Sequence, residues 1–160
     1  MPQRLSNQLR VSLFIGGIEV SGMNIHQEDV STVQTYHYDF KKGRNKMGVP
    51  VSDPSMAYLE IELRNNSQKM TRHFLKELKH NTPYDYSLLF NITFDENRRL
   101  KEYENIIEAR GYVVELEESF DNYSGEESKK GQTILTVKLL LTKLSFTNNF
   151  TDSSILISND

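Results

Sequence analysis

The sequence predicts a mainly β fold, an antiparallel barrel or sandwich of about eight strands with one α-helix on its flank. Three observations carry this. Apolar residues recur at every second position in most segments, only one segment has apolar residues at helical spacing, and the last long apolar run has them at both parities. At 160 residues the chain is long enough for one core and too short for two.

The elements follow in order. Leu9, Val11, Leu13 and Ile15 alternate with other residues, the period of a half-buried strand. Gly16-Gly17 supplies a two-residue turn, and Ile18 and Val20 begin a return strand that extends to Ile25 with a bend at Gly22. Residues 33–40, VQTYHYDF, are β-branched and aromatic and form a third strand. Residues 41–55, KKGRNKMGVPVSDPS, carry four basic residues, two glycines and two prolines without an apolar pattern, and read as a long loop. Structureless loops of that length are uncommon in compact domains and generally functional.

Leu59, Ile61 and Leu63 then alternate with acids. The helix follows over 67–80, with Ser67 as N-cap and a stop before Pro83. It turns Met70, Phe74, Leu75 and Leu78 to one side and Lys69, Arg72, Lys76 and Lys79 to water. Tyr86, Leu88, Phe90, Ile92 and Phe94 make another alternating row, DENRR a turn, and 103–109 and 111–118 two strands around Gly111. A polar loop over 121–132 leads to the strand 133–146, apolar at Ile134, Leu135, Val137, Leu139, Leu140 and Leu141. A strand of that kind is covered on both faces. Full burial of one Leu is worth about 1.5–3 kcal/mol, and a single helix covers little, so a neighbouring subunit is expected to meet Leu139 and Leu141. The alternative is cover from within, by the helix and loop ends. The domain runs over 1–146, followed by a polar C-terminal tail, 147–160.

Composition excludes several functions. Nineteen Lys and Arg against 22 Asp and Glu give a net charge of -3, which argues against nucleic acid or an anionic membrane as partner. With no cysteine there is no disulfide, thiolate metal site or cysteine nucleophile. The N-terminal residues have no apolar signal-like run, and no stretch is apolar enough for a transmembrane helix. The four N-x-S/T sequons at Asn65, Asn91, Asn122 and Asn149 are read as chance in a chain without a signal.

Motifs of chemistry are missing. His26, His37, His73 and His80 have no metal-ligand spacing, and His73 and His80 lack a third ligand. Glu115 and Glu117 share one strand face like a glycosidase pair but read better as a solvated edge. No GxSxG, P-loop or dinucleotide fingerprint is present. Lys41, Lys42, Arg44 and Lys46 have neither a glycine-rich helix start nor an aromatic platform beside them, as a phosphate or nucleic-acid site would need. The chain is read as no enzyme, with no cofactor and no metal.

Order and motifs together resemble the tube protein of the type VI secretion system, the Hcp or TssD family, in its divergent TssD-like branch. The matching points are a glycine-containing first hairpin, a long loop closing on G-x-P-x-S at Gly48-Val49-Pro50-Val51-Ser52, an alternating strand, and a helix with Phe74-Leu75. Next comes I-x-x-A-R-x-Y-V-V-x-L-x-E-x-F from Ile106 to Phe120, then a polar loop and a final apolar strand. The likeness spans roughly residues 9–146. Val49 stands where that branch often has Arg, and no Trp is present.

The resemblance implies an Hcp-like β-barrel with a helix on its side, hexameric rings stacked into a hollow tube, sheath and spike proteins as partners, and effector proteins carried in the lumen. It also implies assembly in the cytoplasm and export by the apparatus of Gram-negative bacteria without a cleaved signal. The family's extended loop projects toward the next ring, so Lys41, Lys42, Arg44, Lys46, Val49 and Pro50 are the expected ring-stacking residues. Glu115, Glu117, Glu118, Asp121, Glu126 and Glu127, with no base among residues 115–127, form the expected acidic counter-surface. Two other readings share part of the pattern: a phage-like tail tube protein, and a monomeric barrel holding a small ligand among Tyr86, Phe90 and Phe94.

Overall fold

The computed structural model describes residues 9–17, 24–44, 46–48, 50–65, 68–121, 132–148 and 152–156. The strands are β1 (Val11–Ile15), β2 (Val30–Arg44), β3 (Pro50–Asn65), β4 (Tyr84–Phe90), β5 (Thr93–Phe94), β6 (Leu100–Glu102), β7 (Asn105–Asp121), β8 (Gln132–Asn148) and β9 (Asp152–Leu156). The helix α1 (Lys69–Lys79) lies between β3 and β4. Seven strands form one sheet in the order β3-β2-β1-β4-β7-β8-β9, and β3 also pairs with β8. The first six therefore close into an antiparallel barrel, with β9 added beside β8. Closure removes the open edges that a sheet of this size would otherwise present.

The barrel interior is filled by every second residue of its strands. Leu59, Ile61 and Leu63 of β3, Leu135, Val137, Leu139 and Leu141 of β8, and Leu13 of β1 are all buried within one chain. This corrects the expected outward face of Leu139 and Leu141, since both are fully buried in the barrel. The outward positions of β8 are Thr136, Lys138 and Leu140, each half-buried. A second, smaller cluster of Phe14, Ile25, Leu89, Leu100 and Ile106 covers the other face of β1, β4 and β7. The β5–β6 hairpin and the segment around Ile25 supply this cover: the Leu100 N–H donates to the Ile25 carbonyl at 2.7 Å, and the Gln27 N–H to that of Arg98 at 2.8 Å. Residues 86–90 of β4 are buried at both parities for that reason.

Several boundaries differ from expectation. β1 takes β2 and β4 as neighbours, with Val11 opposite Val33 and Phe90, so the strand paired with β1 begins at Val30 and not after Gly17. Ile18, Val20 and Gly22 lie outside the described residues. Gly16, at φ 132°, donates its N–H to the Asp85 carbonyl at 2.9 Å and ends β1 in a conformation that favours glycine. The segments 103–109 and 111–118 are one strand, β7, with irregular register between Arg110 and Gly111 and between Val113 and Glu115. Part of the expected tail, 147–160, forms β9, which pairs with Lys143–Thr147 of β8.

The helix is present as predicted, with a different buried stripe. Met70, Phe74 and Glu77 face inward, whereas Leu75 and Leu78 are exposed. Ser67 lies outside the described residues, and the position before the helix is Gln68, whose side chain makes no capping bond. Lys76 and Lys79 sit in the last turn, where cations oppose the negative end of the helix dipole. Along β7, α1 takes over where β4 stops: Tyr84 is opposite Gly111, and beyond it the Thr71 hydroxyl donates to Glu118 at 3.3 Å. A helix laid along a strand edge protects it as another strand would.

Candidate assembly surfaces

The segment expected as a loop, 41–55, is mostly a two-stranded arm. β2 continues to Arg44 and β3 starts at Pro50, with Lys41 opposite Met56, Lys42 opposite Pro54 and Arg44 opposite Pro50. The last pairing of β3 with β8 is Tyr58 with Leu140, and Tyr58 faces Asp39 on β2. The arm therefore runs on past the barrel wall from Lys41, for four residues of β2, or roughly 14 Å at the rise of an antiparallel strand. Lys41, Lys42, Lys46 and Met47 are exposed, Met47 to 88%. Arg44 and Pro50 take part in the backbone pairing, and Val49 lies outside the described residues.

The acidic residues of β7 run from the middle of the wall, where Glu115 is opposite Lys138 and Lys138 opposite Glu60, toward the other end of the barrel. β2 is antiparallel to β3, β3 to β8 and β8 to β7, so β7 runs opposite to β2. It ends at Asp121, opposite Gln132, while β3 ends at Asn65, opposite Thr133. Glu115, Glu117 and Glu118 are exposed on β7. Glu115 lies 3.6 Å from the Lys138 ammonium, which also sits 4.7 Å from the centre of the Tyr58 ring. Asp121 closes the strand, and Glu126 and Glu127 lie outside the described residues. The structure thus brings Glu115, Glu117 and Glu118 onto one strand that runs away from the basic arm of the same chain.

Among the described residues, the aromatic rings expected to hold a ligand pack against neighbouring rings. Phe74 and Tyr86 stack with centroids 5.4 Å apart, Tyr36 meets Phe90 edge-on at 5.9 Å, and Phe94 sits in the separate β5–β6 hairpin. These rings fill space and do not surround it. His73 packs against Phe74, Tyr84 and Tyr86, and its Nε2 lies 2.9 Å from the Tyr86 hydroxyl. Burial pushes the Tyr86 phenol far up, reinforced by Glu77, Tyr84 and Asp85. Burial also pushes the His73 imidazole down, opposed by Glu77 and helped by Lys76. Both groups are thereby kept neutral, as a buried hydrogen-bonded pair should be.

Asp95 and Asp29 serve local structure. Asp95 accepts the N–H groups of Asn97 and Arg99 at 2.8 and 3.0 Å, which holds its carboxyl below the usual range and shapes the β5–β6 turn. Asp29 is partly desolvated, yet the Lys69 ammonium at 2.8 Å and the His26 N–H keep its carboxyl below its ordinary value. His37 and His80 are exposed. Among the described residues no three His, Asp or Glu side chains are grouped to hold a metal ion, and no helix is long and apolar enough to cross a membrane.

No family model matches the sequence, and no curated protein matches it. Solved structures do match the fold. An Hcp protein crystal structure superposes with a TM-score of 0.64 at 12% identity, covering 93% of this chain and 98% of the other. The secreted protein Hcp3 from Pseudomonas aeruginosa gives 0.59 at 10% identity, covering 95% and 100%. Hcp1 from Flavobacterium johnsoniae gives 0.53 at 14%, covering 90% and 98%. The chain has an Hcp-like fold over nearly its whole length.

Proposed function

We propose that this protein is a non-catalytic structural subunit of a type VI secretion inner tube, in which hexameric rings stack head to tail into a hollow cylinder. The observation that carries this reading is the opposition of its two ends, a projecting basic arm at one and an exposed acidic strand end at the other. Two unlike ends on one subunit suit a heterologous contact, which propagates into a stack instead of closing as a dimer. Complementary charge sets polarity and register in such a contact more than it sets affinity. The likeness of fold to Hcp structures at both full lengths supports the same reading. Sheath and spike proteins are the partners it implies, effectors its cargo, and export by the apparatus its destination.

Negative-stain microscopy and light scattering of the purified chain test this. Rings with six times the 18.6 kDa subunit mass, and stacks of them, are expected. Reversing Lys41, Lys42, Arg44 and Lys46 to Glu should leave rings and remove stacks. A protein that stays monomeric at every concentration would overturn the proposal.

A further inference from the structure

A groove of about 410 Å³ opens on the outer wall where α1, β3, β7 and β8 meet. Its floor includes Leu78 and Val114, each 40% exposed, and its rim carries Glu60, Glu115 and Glu117. The one base in it, Lys138, is already held by Glu115 and the Tyr58 ring. Three carboxylates around an apolar floor select an occupant with an apolar end flanked by positive charge. The chain itself has such a segment, the arm tip, where exposed Met47 follows Lys46 and the strand bearing Lys41 and Lys42. The arm starts beyond Tyr58 and runs away from Glu60 and Lys138, so it does not fill the groove of its own subunit. Lengths agree as well. The arm reaches roughly 14 Å past the wall, and Thr136 and Lys138 lie four and six residues in from the start of β8, or roughly 14–20 Å.

We infer that the groove is the seat for the arm tip of a second copy in the adjacent ring, with Met47 against Leu78 and Val114 and the arm lysines against Glu60, Glu115 and Glu117. This rests on the stacked-ring reading and names its receptor.

The absence of cysteine makes trapping clean. The double variant Met47→Cys/Leu78→Cys, oxidised, should give covalent oligomers longer than one ring on a non-reducing gel, whereas each single variant should give none. Glu115→Lys/Glu117→Lys should form rings that do not stack, and adding Lys41→Glu, Lys42→Glu and Lys46→Glu should restore stacking. Ring formation by each variant shows that it has folded. Stacks that persist in Glu115→Lys/Glu117→Lys, or a double-cysteine protein that gives no covalent product while still stacking, would overturn the seat and leave the tube reading standing. A wild-type chain that forms no rings would overturn both.

Discussion

His73 Nε2 and the Tyr86 hydroxyl lie 2.9 Å apart, and through this bond α1 is tied to β4 inside a cluster of aromatic rings. The helix covers the edge of β7 beyond Gly111, so the bond also holds the cover of the barrel wall in place. Changing Tyr86 to Phe keeps the ring and leaves His73 without its partner. Such a loss costs about 1–2 kcal/mol. The unfolding free energy from urea denaturation should fall by that amount with far-ultraviolet spectra unchanged; an unaltered value would show that water satisfies the imidazole equally well.

The same pair predicts a pH dependence. Burial holds the His73 imidazole below its ordinary value, while Glu77, Lys76, Tyr84 and Asp85 are the titratable groups around the cluster. In the unfolded chain it titrates near about 6.5. Below that pH the unfolded state binds more protons than the folded one, so stability rises with pH there. His73 therefore leaves its contribution intact above about 6.5 and withdraws it as pH falls toward the folded value. Denaturation at pH 7.5, 6.5 and 5.5 should show a smaller decline for His73→Gln than for the natural chain. Parallel curves would assign the acid sensitivity elsewhere.

Gly111 stands where β7 shifts register and β8 passes closest. A Cβ there would lie 2.5 Å from the Leu140 carbonyl oxygen and 3.2 Å from Leu141 Cα. Backbone cannot give way as a side-chain end can. Gly111→Ala should thus destabilise the subunit by about 1–3 kcal/mol. Differential scanning calorimetry at fixed protein concentration measures this, and a gain in stability would mean that the strands can part.

Leu139 and Leu140 separate the inside of the barrel from its outside by one residue. Leu139→Ala should cost about 2–5 kcal/mol, because it opens a cavity in a packed interior. Leu140→Ser should cost under about 1.5 kcal/mol, since that side chain is only partly buried. Equal effects at both positions would contradict the register. Leu139→Asp should unfold the subunit, because it places a charge in that interior, so release of monomers by that change would report on the core and not on a subunit contact.

Legibility in the sequence followed the solvent. Leu59, Ile61 and Leu63 alternate because one face of β3 meets the core and the other meets water, so that strand could be read directly. Lys41, Lys42 and Arg44 pair with Met56, Pro54 and Pro50 beyond the core, where no apolar period is imposed, and the arm therefore looked like a loop. The run at 139–141 has leucine at both parities, and only the pairing with β3 decides which is inside. In α1 the 3.6-residue period fits two adjacent stripes; Glu77 entered the buried one and Leu75 and Leu78 the other. The groove assembles from α1, β3, β7 and β8, which no local pattern connects.

Ionic strength separates the forces that would hold ring to ring. Lys41, Lys42, Lys46 and the carboxylates of β7 are exposed, so their attraction is screened over about 10 Å at 0.1 M salt and about 3 Å at 1 M. Met47, Leu78 and Val114 contribute through apolar area, which salt does not weaken. If charge dominates the seat, stacks counted by electron microscopy should shorten as sodium chloride rises from 0.05 to 0.5 M, with rings unchanged, under conditions chosen for screening. Stacks that lengthen instead would place the affinity in the apolar floor and leave the charges to set register alone. In that case Val114→Asp should abolish stacking more completely than reversal of the arm lysines.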